Sequence, residues 1–248
     1  KSSPMNAPTT APTAAMYLAA GLGERMRPLT NHRPKPLIAV AGRPLIDIAL
    51  DTLAAAGVMR VVINLHYRGQ MIRDHLVSRK NPRIIYSDET DQLLGPGGGV
   101  VKALPLLGDA PFFVHNCDSF WRDGITGALM HMRDMFDAAR MDALLLLASL
   151  DNATGFDGPG DYYLAASGAL TRNAAKITAP AAPYVYCGVM LCHPRLFAGA
   201  PSGPFSTVEL WDRSERAGRL FGLVHAAPWF HIGTPGALTA TEQILAKR

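Results

Sequence analysis

"AAMYLAAGLGERMRPLT", Ala14–Thr30, carries a short run of small and apolar residues straight into a loop with two glycines, an acid and two arginines. The run AAMYLAA reads as a strand. In the loop, Gly21 and Gly23 allow a sharp turn with uncovered amides, while Arg25 and Arg27 offer charge to a phosphate or carboxylate. A strand feeding an anion-binding loop sets the question of what sheet the strand belongs to.

Outward from this stretch, short apolar runs alternate with helical patterns. PLIDIALDTLAAAG, Pro44–Gly57, turns Leu45, Ile46, Ile48, Ala49, Leu53 and Ala56 to one helical face, leaves Asp47 and Asp51 on the other and stops at its glycine. RVVINL then reads as a strand, YRGQMIRDHLVS as a helix, RIIYS as a strand and GGVVKALPLL as a helix ending near Pro105. PFFVHN and MDALLLLASL read as further buried strands. This alternation predicts an α/β fold, a mixed, mostly parallel sheet flanked by helices. After Leu150 the texture changes to the turn-rich DNATGFDGPGDYY, then PYVYCGVMLCHP, which reads as a strand pair. GTPGALTATEQILAKR closes the chain as a helix with Thr234 as N-cap, Pro235 at its first position, and Lys247 and Arg248 at the negative end of its dipole.

The chain has 248 residues, 48% hydrophobic and 18% charged, enough apolar material for one large domain. Residues 15–248 are taken as that domain, in two parts, 15–150 and 151–248, divided where the texture changes. Residues 1–14, rich in Ser, Pro, Thr and Ala, are expected to be a disordered tail, its first four residues resembling a cloning remnant. A net charge of +4 without a basic run or interleaved aromatics argues against a nucleic-acid partner, and no apolar stretch is long enough to span a membrane. Cys117, Cys187 and Cys192 fit no disulfide framework, which suits a reducing compartment, the cytoplasm. The odd spacing of Cys187 and Cys192 sets their thiols on opposite faces of one strand, as packing groups rather than zinc ligands. Met130, Met132, Met135 and Phe136 are read as core filling.

The loop fails the dinucleotide fingerprint, because Met26 stands at the third glycine position and Asp47 falls inside a helix; it also lacks the Gly-Lys-Ser/Thr ending of a Walker loop. GLGERMRPLTNHRPKPLIAVAGRPLID instead resembles the signature of sugar-phosphate nucleotidyltransferases, Gly-x-Gly-Thr-Arg-Met/Leu-x-Pro-Leu-Thr followed by Pro-Lys-Pro-Leu. PGGGVVKALPLLGDAPFFVHNCDSF, DNATGFDGPGDYY, CGVMLCHPRLF and WFHIGTP extend the resemblance over most of the chain, and its wording is most similar to the N-acetylmuramate 1-phosphate uridylyltransferase branch.

The resemblance implies a Rossmann-like nucleotide-diphospho-sugar transferase fold and an enzyme that makes a nucleotide sugar and pyrophosphate from a nucleoside triphosphate and a sugar 1-phosphate. UTP with N-acetylmuramate 1-phosphate is the favoured pair, in cell-wall sugar recycling. A guanylyltransferase for mannose 1-phosphate, a glucose 1-phosphate enzyme and a non-catalytic binder of these ligands are the alternatives. By the same resemblance residues 15–150 are the nucleotide-binding part and 151–248 the sugar-binding part; Arg25, Lys35 and Asp118 are catalytic; Ala19, Ala20, Gly21, Gly23, Glu24 and Gly98 meet the nucleotide; Asn152, Asp161 and Cys187 meet the sugar. Asp118 would hold Mg²⁺. Relatives pair this acid with a second Asp ahead of a Gly-Thr, where this chain has His231, so His231 is the second metal candidate and Mn²⁺ becomes admissible. LLGPGGG departs too, with Gly95 and Pro96 where muramate-type enzymes carry an acid and a threonine.

Overall fold

The computed structural model describes residues 12–122, 127–175 and 182–247. Strand β1 (Ala14–Leu18) shows why the opening run is apolar throughout: Ala15 and Tyr17 enter one packed cluster, Ala14 and Met16 another. Both faces of the strand are covered, as in the interior of an α/β sheet.

From β1 the chain passes through the one-turn helices Glu24–Met26 and Lys35–Leu37 and a ribbon of β2 (Ala39–Val40) and β3 (Arg43–Pro44) into helix α1 (Leu45–Ala55). There follow β4 (Arg60–Leu65), α2 (Gly69–His75), β5 (Arg83–Asp88), α3 (Gly95–Leu107), β6 (Phe112–Asn116), β7 (Ser119–Trp121), α4 (Ala128–Met135) and β8 (Ala143–Ser149). The remainder comprises β9 (Ala153–Thr154), β10 (Tyr162–Leu164), β11 (Leu170–Arg172), β12 (Tyr184–Cys192), α5 (Val208–Arg216), β13 (Leu220–His225), β14 (Trp229–His231) and α6 (Pro235–Ala246).

The main sheet runs β5-β4-β1-β6-β12-β8-β13. Its first four strands are parallel, β12 is antiparallel to both β6 and β8, and β13 is parallel to β8. The β10–β11 hairpin adds to the start of β12 through Tyr162 and Tyr184. Helices α1, α2 and α4 cover one face and α3 and α5 the other. A smaller sheet, β7-β14-β9, joins α6 in a third cluster around Met26, Phe120 and Phe230. The predicted mixed, mostly parallel sheet flanked by helices is therefore present, and it is continuous across residue 150.

Several local expectations change. PYVYCGVMLCHP forms one strand rather than a pair: the register of β12 slips between Tyr186 and Met190, where Gly188 has φ 80° and a Cβ would lie 2.4 Å from Ser119 Oγ. A glycine bulge lets the chain kink without leaving the sheet. Cys187 and Cys192 do lie in opposite clusters. Helix α3 begins at Gly95, earlier than GGVVKALPLL suggests, because Pro96 occupies a first-turn position that needs no N–H, and it ends at Leu107, two residues past Pro105. Met135 is exposed, whereas Met132 and Phe136 are buried. The expected tail reaches too far: Ala14 is already in β1, and the Thr13 carbonyl accepts from the Met59 and Arg60 amides. Residues 1–11 of that tail, and Arg248, lie outside the described residues. Thr234 caps α6 as predicted, its Oγ1 accepting from the Ala237 amide.

Candidate active site

Asp118 lies just past the carboxyl end of β6, in the turn to β7, on the edge where α/β sheets receive ligands. Lys35, held between Pro34 and Pro36 in its one-turn helix, is buried, and its Nζ donates to Asp118 Oδ2 at 3.0 Å. His231 arrives through the antiparallel pairing of Ser119 with His231, fixed by the Ile232 amide donating to the Asp118 carbonyl at 2.6 Å. Its Nε2 is 3.5 Å from Asp118 Oδ2 and its Nδ1 is 3.2 Å from the Gly155 carbonyl. Both ring nitrogens thus face acceptors, which a doubly protonated ring satisfies at both ends and a neutral ring at one. Burial pulls the Asp118 carboxyl upward, but the His231 hydrogen bond and the Lys35 charge outweigh it and hold the group well below the usual carboxylate range. Next to it, burial pushes the Cys117 thiol up to about 12, leaving it protonated.

The glycine loop is pinned from behind. Gly23 has φ 67°, and its carbonyl accepts from the buried Thr30 hydroxyl at 2.8 Å. A Cβ at Gly21 would meet nothing within 4 Å, so its surroundings belong to the cleft. The Ala19 amide donates to Asn64 Oδ1 at 2.7 Å, so that donor is already engaged, and Ala20 and Gly21 are the loop residues that line the compartment beside Asn64. Arg25 is exposed and, among the described residues, makes no ion pair or side-chain hydrogen bond. Glu24 is exposed at the rim, 3.9 Å from Arg27.

Three adjoining compartments meet here. One of about 340 Å³ is lined by Leu18, Ala20, Gly21, Asn64, Leu93, Gly95 and Pro96 and reaches Asp118; it contains no cationic side chain. A second, of about 500 Å³, shares Gly21, Cys117 and Asp118 with the first and adds Arg25 and Lys35. A third, of about 630 Å³, shares Arg25 and Gly233 with the second and is walled by Phe156, Asp157, His231 and the first turn of α6.

The structure therefore brings together Arg25, Lys35, Asp118 and His231. It does not bring in Asn152, Asp161 or Cys187. Asn152 donates to the Ala226 carbonyl, Asp161 accepts from the Tyr186 amide beside the β12 bulge, and Cys187 is buried with its carbonyl accepting from Ser119 and Trp229. Gly98 is buried in α3, where a Cβ would lie 2.4 Å from the Gly203 carbonyl; its small size serves helix packing, and Gly95 and Pro96 line the cleft instead. Sequence reasoning passed over Asn64, Phe156 and Asp157. The last two lie in the quoted DNATGFDGPGDYY, a few residues from the Asn and Asp selected there.

The nucleotidyl transferase family profile matches residues 14–156, more than half of the chain. The chain belongs to that family. It is 46% identical to N-acetylmuramate alpha-1-phosphate uridylyltransferase of Caulobacter vibrioides, over 96% of this chain and 98% of the relative. It is 34% identical to the protein of that name from Neisseria meningitidis serogroup B, over 89% and 93% of the two chains. A crystal structure of UDP-glucose pyrophosphorylase complexed with UDP-glucose shares the fold, with TM-score 0.77 at 16% identity over 95% of this chain and 98% of that one. As a nucleotidyltransferase, the chain is an enzyme acting on a nucleoside triphosphate and a sugar phosphate. No helix among its described residues is long and apolar enough to cross a membrane.

Proposed function

We propose that this enzyme joins UTP to N-acetylmuramate 1-phosphate, giving the UDP-sugar and pyrophosphate. The observation that carries the reading is the order of the cleft: a compartment without cations suited to a nucleoside, a middle one holding Arg25 and Lys35 for phosphates, and a third suited to a sugar. A phosphate oxygen of the sugar 1-phosphate attacks the α-phosphorus as the bond to pyrophosphate breaks. That phosphate is largely dianionic at neutral pH, so the step needs no general base. Two anions must be brought together, and fixed positive charge does most of the work. Lys35, fastened to Asp118, presents its ammonium from one direction; Arg25, without an ion pair or side-chain hydrogen bond among the described residues, steadies the departing pyrophosphate. Choice of base and sugar is supported by the Caulobacter and Neisseria relatives, both named for this reaction. In that role the enzyme would serve cell-wall sugar recycling in the cytoplasm.

Among the described residues no group of three or more His, Cys, Asp and Glu gathers as an all-protein metal site. A lone carboxylate facing a phosphate compartment does fit Mg²⁺, which keeps waters and takes substrate oxygens, and His231 beside it also admits Mn²⁺. Bound at Asp118, with or without His231, such a cation would neutralise charge on the triphosphate. A panel of triphosphates and sugar 1-phosphates followed by pyrophosphate release tests the reading. UTP with N-acetylmuramate 1-phosphate should give the highest kcat/KM, and preference for GTP with mannose 1-phosphate would overturn it.

A further inference from the structure

We propose that Glu89, which does not line the cleft, is a positioning residue for the nucleoside end of the triphosphate, acting through Asn64 and Leu94. The inference rests on the nucleoside occupying the compartment lined by Asn64, Leu93 and Pro96.

Glu89 is about 1% exposed, and among the described residues no Lys or Arg forms an ion pair with it. A buried carboxylate without a cation is costly unless donors converge on it. Two do. Asn64 Nδ2 donates to Oε1 at 2.7 Å, and the amide of Leu94, the residue capping α3, donates to Oε2 at 3.0 Å. Asn64, about 3% exposed, in turn accepts the Ala19 amide at 2.7 Å. The Glu89 backbone is itself clamped, its amide donating to the Leu65 carbonyl and its carbonyl accepting from His66 Nδ1. One buried side chain therefore ties the β1 wall of the compartment, which continues into Ala20 and Gly21, to the opposite wall of Leu93, Gly95 and Pro96.

Its charge has a second consequence. The carboxylate answers the positive end of the α3 dipole, so that helix start is not open to the triphosphate. Phosphates are left to the compartment holding Arg25 and Lys35, and the nucleoside to the compartment beside Asn64. Gly99 preserves the arrangement: a Cβ there would lie 2.8 Å from Glu89 Oε1 and 2.9 Å from Asn64 Nδ2.

The test compares the parent with Glu89→Gln and Gly99→Ala. Glu89→Gln keeps the shape but turns one acceptor into a donor facing a donor. Gly99→Ala deletes no hydrogen-bonding group, favours the helix, and displaces the pair from behind. For whichever triphosphate the parent prefers, both variants should raise its KM about tenfold, with kcat at saturation and the KM for sugar 1-phosphate within about twofold. Calorimetric titration with uridine, or the matching nucleoside, should show a similar loss of affinity, while inorganic pyrophosphate binds as in the parent. If the parent prefers a triphosphate other than UTP, the proposed substrate fails and the positioning role is judged on the preferred one. Unchanged triphosphate KM in a folded Gly99→Ala protein, or equal losses for nucleoside and pyrophosphate, would overturn the role of Glu89.

Discussion

Lys35 and Asp118, 83 positions apart in the chain, meet at 3.0 Å between Nζ and Oδ2, and the ammonium is almost wholly buried. Arg25, the other cation of the phosphate compartment, is exposed and unpaired among the described residues. The two should therefore respond differently to removal. Lys35→Ala and Arg25→Ala should each lower kcat about 100-fold, the usual cost of losing a preorganised charge at a developing anion. Only Lys35→Ala should also lower Tm, because it strands a partly buried carboxylate. Steady-state rates with melting curves separate the two, and near-normal turnover in either variant would remove that residue from the mechanism.

His231→Asp would face Asp118 with a second carboxylate. Without a cation the pair repels; with one, the site gains an oxygen ligand. The variant should thus show a larger rise in Tm on adding Mg²⁺ than the parent, and an activity ratio shifted from Mn²⁺ toward Mg²⁺. Identical metal responses in the two proteins would mean that His231 serves the local hydrogen-bond network alone.

Phe156→Ala should raise the KM for sugar 1-phosphate several-fold with little change for the triphosphate, since Phe156 walls the third compartment only. Asp161→Ala should instead cost about 1–2 kcal/mol of stability, the penalty for leaving the Tyr186 amide unanswered, without a selective effect on either KM. A selective sugar defect in Asp161→Ala would restore that residue to the binding site.

His115 is buried between Tyr17 and Trp121, its Nδ1 donating to the Asn116 carbonyl, and burial pushes its imidazole down to about 4 from the ordinary 6.5. The native ring stays neutral while the unfolded one takes up a proton below pH 6.5. Its contribution to stability is therefore flat above pH 6.5, falls as pH drops toward 4, and levels off below that, a loss of about 3 kcal/mol. Denaturant titrations across this window should show the slope, and His115→Gln should flatten it whatever its absolute stability.

The sequence by itself determined the β-α alternation, because two-sided burial of a strand and one-sided burial of a helix impose different apolar periods on neighbouring residues. It also marked the loop as a candidate site, since Gly21, Gly23, Arg25 and Lys35 lie within one contiguous motif. What it could not carry was direction. Asn152 and Asp161 are polar residues in the right region, yet each is turned to a backbone group, while Phe156 and Asp157 beside them face the cleft. Gly98, expected to meet the nucleotide, packs its bare Cα against the backbone at Gly203. Only the tertiary structure decided that Ala19 gives its amide to Asn64, that Glu89 stands behind both, and that Asp118 receives Lys35 and His231 on one oxygen. These contacts join segments that lie together in the fold but far apart along the chain, and a hydrogen bond of that kind leaves no period or spacing in the sequence from which it could be read.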